Sequence, residues 1–170
     1  VVASNVSASE YAQHSDSVWI DLSKGLGCPI GGVLAGSADF IEEAWFWKQR
    51  LGGSMRQSGI IAAAGIYALE NNVKRLAEDH ENARLLASKL ANVRNLSLAN
   101  EKTETNILIV KLASSKIDAM QLASALLEIG IRVGPMDKET IRIVTHLDVD
   151  RDSVTEAGAA IQKIMEEYNH

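Results

Sequence analysis

The 170-residue sequence holds a single cysteine, Cys28. One thiol forms no intramolecular disulfide and builds no thiolate metal cluster, so a reducing compartment suits the composition and a cytoplasmic location is expected. Basic residues are outnumbered, 17 Lys and Arg against 22 Asp and Glu, for a net charge of -5. No basic stripe with interleaved aromatics is present, which argues against a nucleic-acid surface. No apolar run nears the roughly 20 residues of a spanning helix, so no membrane partner is expected, and the amino end lacks the basic-then-apolar order of a secretory signal. Internal repeats and low-complexity tracts are missing too. Gly25-Leu26-Gly27 has no third glycine at the spacing a dinucleotide fold needs, and no Walker loop occurs. Neither His80 nor His146 has a second ligand at His-x-x-x-His spacing, so no metal site is expected and both histidines read as structural.

What is present is a chain whose apolar fraction, 46%, is enough for a real core. Residues 9–14 read as a short helix, and the alternating Ser17-Val18-Trp19-Ile20-Asp21-Leu22 as a core strand running into Lys24. A glycine-flanked strand follows at 32–35. Ser37 is placed to cap a helix over 38–50, with Asp39, Glu42 and Glu43 early and Lys48 and Arg50 late, as the helix dipole prefers. Gly52-Gly53 stops it. Residues 57–69 form an apolar helix whose Ala62, Ala63, Ala64 and Gly65 predict burial on more than one side. An amphipathic helix over 72–90 then bridges to a second domain. There the pattern predicts strands at 96–99 and 106–112, a helix over 117–129 closed by Gly130, strands at 131–133 and 140–145, and a last helix capped by Asp150. The fold class is α/β, with a division near residues 77 and 78.

Ser23-Lys24-Gly25-Leu26-Gly27 puts a lysine where a strand meets a glycine-rich loop. A lysine projecting from such a turn into a cleft, partly desolvated, can attack an aldehyde, and pyridoxal phosphate is the aldehyde expected. Alone, the pentapeptide is a weak signal, since most lysines before a glycine merely finish a strand in solvent. Arg142, in a predicted strand, carries a fork of donors that grips a carboxylate with two parallel bonds; the same arginine could pair with a surface acid. Arg56 follows Gly52-Gly53-Ser54-Met55 and suits an anion reached across bare backbone, although an arginine opening an apolar helix also commonly faces solvent. Asp21 reads as structural.

In order along the chain stand the lysine pentapeptide, Pro29-Ile30-Gly31-Gly32-Val33-Leu34-Ala35-Gly36, Leu51-Gly52-Gly53-Ser54-Met55-Arg56-Gln57-Ser58-Gly59, Leu76-Ala77-Glu78-Asp79-His80, Thr105-Asn106 and Ile141-Arg142-Ile143-Val144-Thr145-His146-Leu147-Asp148. This ordered set resembles the threonine aldolases of the pyridoxal-phosphate fold-type I superfamily, in the group related to the β-eliminating lyases, over essentially the whole chain. The resemblance implies an aspartate-aminotransferase-like α/β fold, with residues 1–77 as the carboxy-terminal part of the large cofactor-binding domain and 78–170 as the small domain. It implies Lys24 as the Schiff-base residue, Arg56 as a group near the cofactor phosphate across a subunit interface, and Arg142 as the holder of the substrate carboxylate. It also implies an amino-terminal half, on a separate or cleaved chain, that brings the ring-stacking residue, the pyridine-nitrogen acid and the catalytic base. A homo-oligomer, dimer or tetramer, is expected. The implied reaction is aldol cleavage of β-hydroxy-α-amino acids to glycine and an aldehyde; β-elimination and a non-catalytic fragment with only an assembly role are the alternatives.

Overall fold

The computed structural model describes residues 1–100, 102–113 and 116–169. They divide into two compact units, Val1–Leu76 and Ala77–His170.

In the first unit, α1 (Ala8–Ala12) opens on a capping box: the Ser7 side chain accepts from the Glu10 N–H and the Glu10 carboxylate reaches back to the Ser7 N–H. Two strands, β1 (Ser17–Asp21) and β2 (Gly32–Gly36), form a two-stranded antiparallel sheet in which Trp19 faces Leu34 and Ile20 faces Val33. Helices α2 (Ala38–Arg50) and α3 (Gly59–Asn71) follow. Ser37 caps α2 by accepting from the Phe40 N–H, with Asp39 in the first turn and Lys48 and Arg50 in the last. A small core of Leu22, Leu26, Cys28 and Ala68 seats the β1–β2 loop on α3. There the Cys28 thiol points to the Ala64 carbonyl at 3.4 Å and Asn72 Nδ2 donates to the Leu26 carbonyl at 2.7 Å.

Three expectations change here. The β1 strand is not a core strand within this unit, since Trp19 is 66% exposed and every residue of β2 is exposed. Helix α3 is buried on one side only, through Gly65 and Ala68, while Ile60, Ile66 and Tyr67 stand in solvent. The unit's own elements cover just one face of each. The third change is the start of α3, which begins at Gly59 because Gln57 adopts φ 53°, a left-handed angle that no right-handed helix contains.

Helix α4 (Leu76–Leu90) begins at the boundary; Asn72 is instead the C-cap of α3, so the expected helix over 72–90 is shorter at its start. The second unit continues with β3 (Leu96–Leu98), β4 (Ile107–Leu112), α5 (Ala119–Glu128), β5 (Gly134–Pro135), β6 (Thr140–Val144) and α6 (Arg151–Asn169). Its antiparallel sheet has the order β3-β4-β6-β5. Alternation explains the layering: Leu108, Val110 and Leu112 of β4 and Ile141 and Ile143 of β6 are buried with Leu86 and Leu90 of α4, Leu122 and Leu126 of α5, and Ile161 and Met165 of α6. Lys111, Arg142 and Val144 lie on the opposite, exposed face.

Both ends of α5 are specified locally. Asp118 and Gln121 form a capping box, and Ile117 just before it is buried in the same core as Leu122, the pattern of a hydrophobic staple. At the other end Gly130 takes φ 83°, its N–H bonds the Leu127 carbonyl, and the Ile131 N–H bonds the Leu126 carbonyl, a Schellman motif. That bond accounts for a further difference. The strand expected at 131–133 lies instead at Gly134–Pro135, because the Ile131 N–H serves the cap while Ile131 and Val133 pack against the core. Asp150 caps α6 by accepting from the Ser153 N–H at 2.8 Å. Among the described residues no helix is long and apolar enough to cross a membrane.

Candidate functional site

Lys24 sits in the loop that leaves β1. Leu22, Leu26 and Cys28, each less than 8% exposed, anchor that loop, and its backbone is closed by the Gly27 N–H to the Lys24 carbonyl at 2.8 Å and the Cys28 N–H to the Leu22 carbonyl at 2.9 Å. Gly27 and Gly31 take φ 74° and 124°, which other residues resist; Gly25 needs space instead, since a Cβ there would meet Leu76 at 3.0 Å. With three apolar side chains turned inward, Lys24 is turned outward and is 77% exposed.

Asp21 organises the turn. Its Oδ1 accepts from the Ser23 N–H at 2.9 Å and the Ser23 hydroxyl at 2.7 Å, and its Oδ2 accepts from Lys24 Nζ. The Lys24 bond, then the Ser23 bonds, hold the Asp21 carboxyl down to about 2, so it is an anion at any working pH. The partial desolvation expected of Lys24 is not seen in this unit. The amine is exposed and bonded to the Asp21 carboxylate, so within this unit a paired carboxylate takes the place of a cleft wall.

Arg56 lies in the turn between α2 and α3, exposed, between Gly52 at φ 80° and Gln57 at φ 53°. Two left-handed residues flanking four positions make this segment a tightly bent approach to α3 rather than the helix's first turn. Lys24 and Arg56 thus belong to the first unit.

Arg142 belongs to the second unit, in β6, opposite Ile109 of β4 and Gly134 of β5. Its neighbours Ile141 and Ile143 point into the core, so Arg142 stands on the open face. Just beyond it the strand ends in a polar cluster. The Thr145 N–H donates to the Asn106 carbonyl at 3.0 Å, Asn106 Nδ2 donates to the Thr145 carbonyl at 2.7 Å, and the Thr145 hydroxyl donates to the Asp79 carbonyl at 2.6 Å. Asn82 Nδ2 donates to the Val149 carbonyl at 3.1 Å. His146 Nδ1 lies 3.5 Å from an Asp148 carboxylate oxygen and accepts from the Asp148 N–H, a local turn contact. Half-burial and the neighbouring Arg84 depress the His80 imidazole, which favours its neutral form. Among the described residues no group of three His, Cys, Asp or Glu could hold a metal ion.

Two partnerships escape a reading of the sequence. The Asp21–Lys24 contact has a usable signal, an acid three residues before the lysine with serine between, the spacing of an Asx turn. The Asn106–Thr145 pair spans 39 residues and has none.

Residues 1–113 match the family model described as Beta-eliminating lyase. The chain belongs to the beta-eliminating lyase family. Within it, the chain is 43% identical over 159 residues to the low specificity L-threonine aldolase of Escherichia coli (strain K12), covering 94% of this chain and 46% of that protein. It is 35% identical over 165 residues to low-specificity L-threonine aldolase 1 of Arabidopsis thaliana, covering 96% of this chain and 46% of that protein. The chain therefore spans about half the length of the curated relatives it matches. A crystal structure from Exiguobacterium sp. 255-15, provisionally described as an aromatic amino acid beta-eliminating lyase/threonine aldolase, superimposes with a TM-score of 0.76 at 23% identity, over 95% of this chain and 48% of that one. The fold of this family member is the fold-type I architecture of pyridoxal-phosphate enzymes.

Proposed function

We propose that this chain is the lysine-bearing half of a pyridoxal-phosphate-dependent threonine aldolase, which cleaves β-hydroxy-α-amino acids such as threonine or allo-threonine to glycine and an aldehyde. The observation that carries the reading is the outward-facing Lys24 amine on a turn whose conformation Asp21 and Ser23 fix. An amine that must condense with an aldehyde has to be reachable and held in one place, and Lys24 meets both needs. Family membership and the threonine aldolases among the relatives support the same reading.

When bound, pyridoxal phosphate supplies an electron sink for the bond broken at the substrate's α carbon. Lys24 would hold the cofactor. Asp21, an anion, keeps the Lys24 side chain folded against the turn until its amine is engaged. Arg56, exposed on its bent loop, is suited to the cofactor phosphate of an adjoining subunit. Arg142 would grip the substrate carboxylate with two parallel bonds, and that grip decides which substituent of the α carbon is presented for cleavage. The base that takes the β-hydroxyl proton is assigned to the remaining length of the enzyme.

Residues 1–77 are read as the end of the large domain and 78–170 as the small domain. The β1–β2 pair supports an amino-terminal partner segment. Cross-strand neighbours Ile20 and Val33 share one face, Trp19 and Leu34 the other, and all four are more than 40% exposed. Two apolar faces mark strands meant for the interior of a larger sheet, and two strands alone are marginal in water. The exposed apolar residues of α3, Ile60, Ile66 and Tyr67, support a dimer or tetramer.

The test is reduction with borohydride of the enzyme assembled from this chain, its remaining length and pyridoxal phosphate, followed by peptide mass mapping. Lys24 should carry the pyridoxyl group, and Lys24→Ala should remove the near-visible cofactor band. An unmodified Lys24 in the cofactor-loaded enzyme overturns the proposal. Glycine and acetaldehyde from threonine distinguish aldol cleavage from β-elimination.

A further inference from the structure

We propose that Thr145 and Asn106 are positioning residues for Arg142: together with the backbone carbonyl of Asp79 they form a latch on the carboxy-terminal end of β6 that fixes the arginine's reach. The inference rests on the reading of Arg142 as the carboxylate holder.

The need for a latch follows from the ladder. On one side of β6 the strand β5 has two residues, and its pairing ends at Arg142 itself, opposite Gly134. Beyond that point the strand pairing of β6 among the described residues is with β4, where the registered pairs end at Ile107 and Val144. A long, flexible arginine stem amplifies any looseness in the backbone that carries it. Three bonds close the gap. Asn106 replaces a missing backbone donor with its own side-chain amide, so that it and Thr145 bond each other twice, at 3.0 and 2.7 Å, and the ladder gains one more rung. From a third direction the Thr145 hydroxyl reaches the Asp79 carbonyl in the first turn of α4 at 2.6 Å.

The burial says that these bonds are obligatory. Thr145 is 2% exposed, so its hydroxyl is shielded from bulk water, and among the described residues it donates to the carbonyls of Asp79 at 2.6 Å and Asn106 at 3.4 Å. A valine at this position would fill the same volume and pack well; the hydroxyl is there for its bond. Arg142 is three residues upstream, inside the short strand that ends one residue before Thr145, so the latch acts on it through a direct backbone path.

The test uses the cofactor-loaded enzyme with this chain at full length. Thr145→Val should raise KM for threonine about tenfold, the worth of one hydrogen bond to a strongly held group, with kcat changed less than about threefold. Thr145→Ser should restore KM to within about twofold of the parent. Backbone amides of residues 143–146 should exchange hydrogen faster in the valine variant and at the parental rate in the serine variant. A folded valine variant with parental KM, an equal loss in kcat alone, or a serine variant that fails to rescue overturns the latch. If Thr145→Val does not fold, Asn106→Ala is read by the same two measurements. Arg142→Lys separates the two ideas: if it leaves KM unchanged the carboxylate reading fails, and the exchange rates then decide the latch alone, faster exchange supporting it and parental exchange overturning it.

Discussion

Asp21 and Lys24 stand one helical-turn length apart in sequence and bond each other directly, the carboxylate's second oxygen being taken up by the N–H and hydroxyl of Ser23 between them. A single acid thus fixes both the backbone of the turn and the direction of its lysine.

The first prediction concerns that acid. Lys24 and then Ser23 lower the Asp21 carboxyl from 3.8 to about 2. A depressed folded-state value means that the turn's contribution to stability is fully present above 3.8 and fades as pH falls through about 2. Carboxyl resonances followed by NMR should show Asp21 titrating near 2, and Lys24→Ala should move its midpoint upward toward the ordinary aspartate value. A midpoint that does not respond to Lys24→Ala removes the ion pair from the account.

Arg142→Lys keeps the charge and loses the two-pronged geometry. If the guanidinium holds the substrate carboxylate, KM rises roughly 10- to 100-fold, equivalent to about 1.4–2.8 kcal/mol, while kcat falls less. Steady-state kinetics on threonine in the assembled enzyme decide this.

Gly130→Ala forces a Cβ into φ 83° at the end of α5. A cost of about 1–2 kcal/mol is expected, and Gly130→Asn should recover much of it because asparagine tolerates the left-handed region. Urea unfolding of the two variants against the parent measures the difference.

Leu122 is fully buried in the core of the second unit. Leu122→Ala should cost about 2–5 kcal/mol, as large-to-small changes at sealed sites do. The same change at Leu127, on the same helix but 55% exposed, should fall within about 0.5 kcal/mol once its helix propensity is allowed for. Equal losses at the two positions would contradict the placement of α5 on the sheet.

All three tryptophans, Trp19, Trp45 and Trp47, are 49% exposed or more in this chain. Fluorescence of the isolated chain should peak at the long wavelengths of hydrated indole. Adding the remaining length of the enzyme should shift the peak to the blue, and Trp19→Phe should reduce that shift, because Trp19 lies on the sheet face proposed to be covered.

Much of this is legible in the sequence. Helix α2 declares itself through Ser37, the early Asp39 and the late Lys48 and Arg50, all of them local signals acting within one turn. The ends of α5 are equally local, written in Asp118, Gln121 and Gly130. The misplaced strand at 131–133 has a specific cause: its branched side chains advertise a ladder, while the N–H that a ladder would need is already spent on the helix cap. Gln57 carries no compositional mark of a left-handed angle, so the start of α3 could not be read. For the site, Lys24, Arg56 and Arg142 stood out as residue types in suggestive settings. Their supports did not, because exposure of Lys24 depends on what covers a strand, and the bonds around Thr145 link residues 39 and 66 positions apart.

β2 contains five residues, Gly-Val-Leu-Ala-Gly, without a charge or a proline, and among the described residues it pairs on one side, with β1. Such an edge has no gatekeeper, and its open N–H and C=O groups are suited to pairing with an extended strand, a copy of itself included. Left without a partner strand, this segment is where self-association of the chain would start.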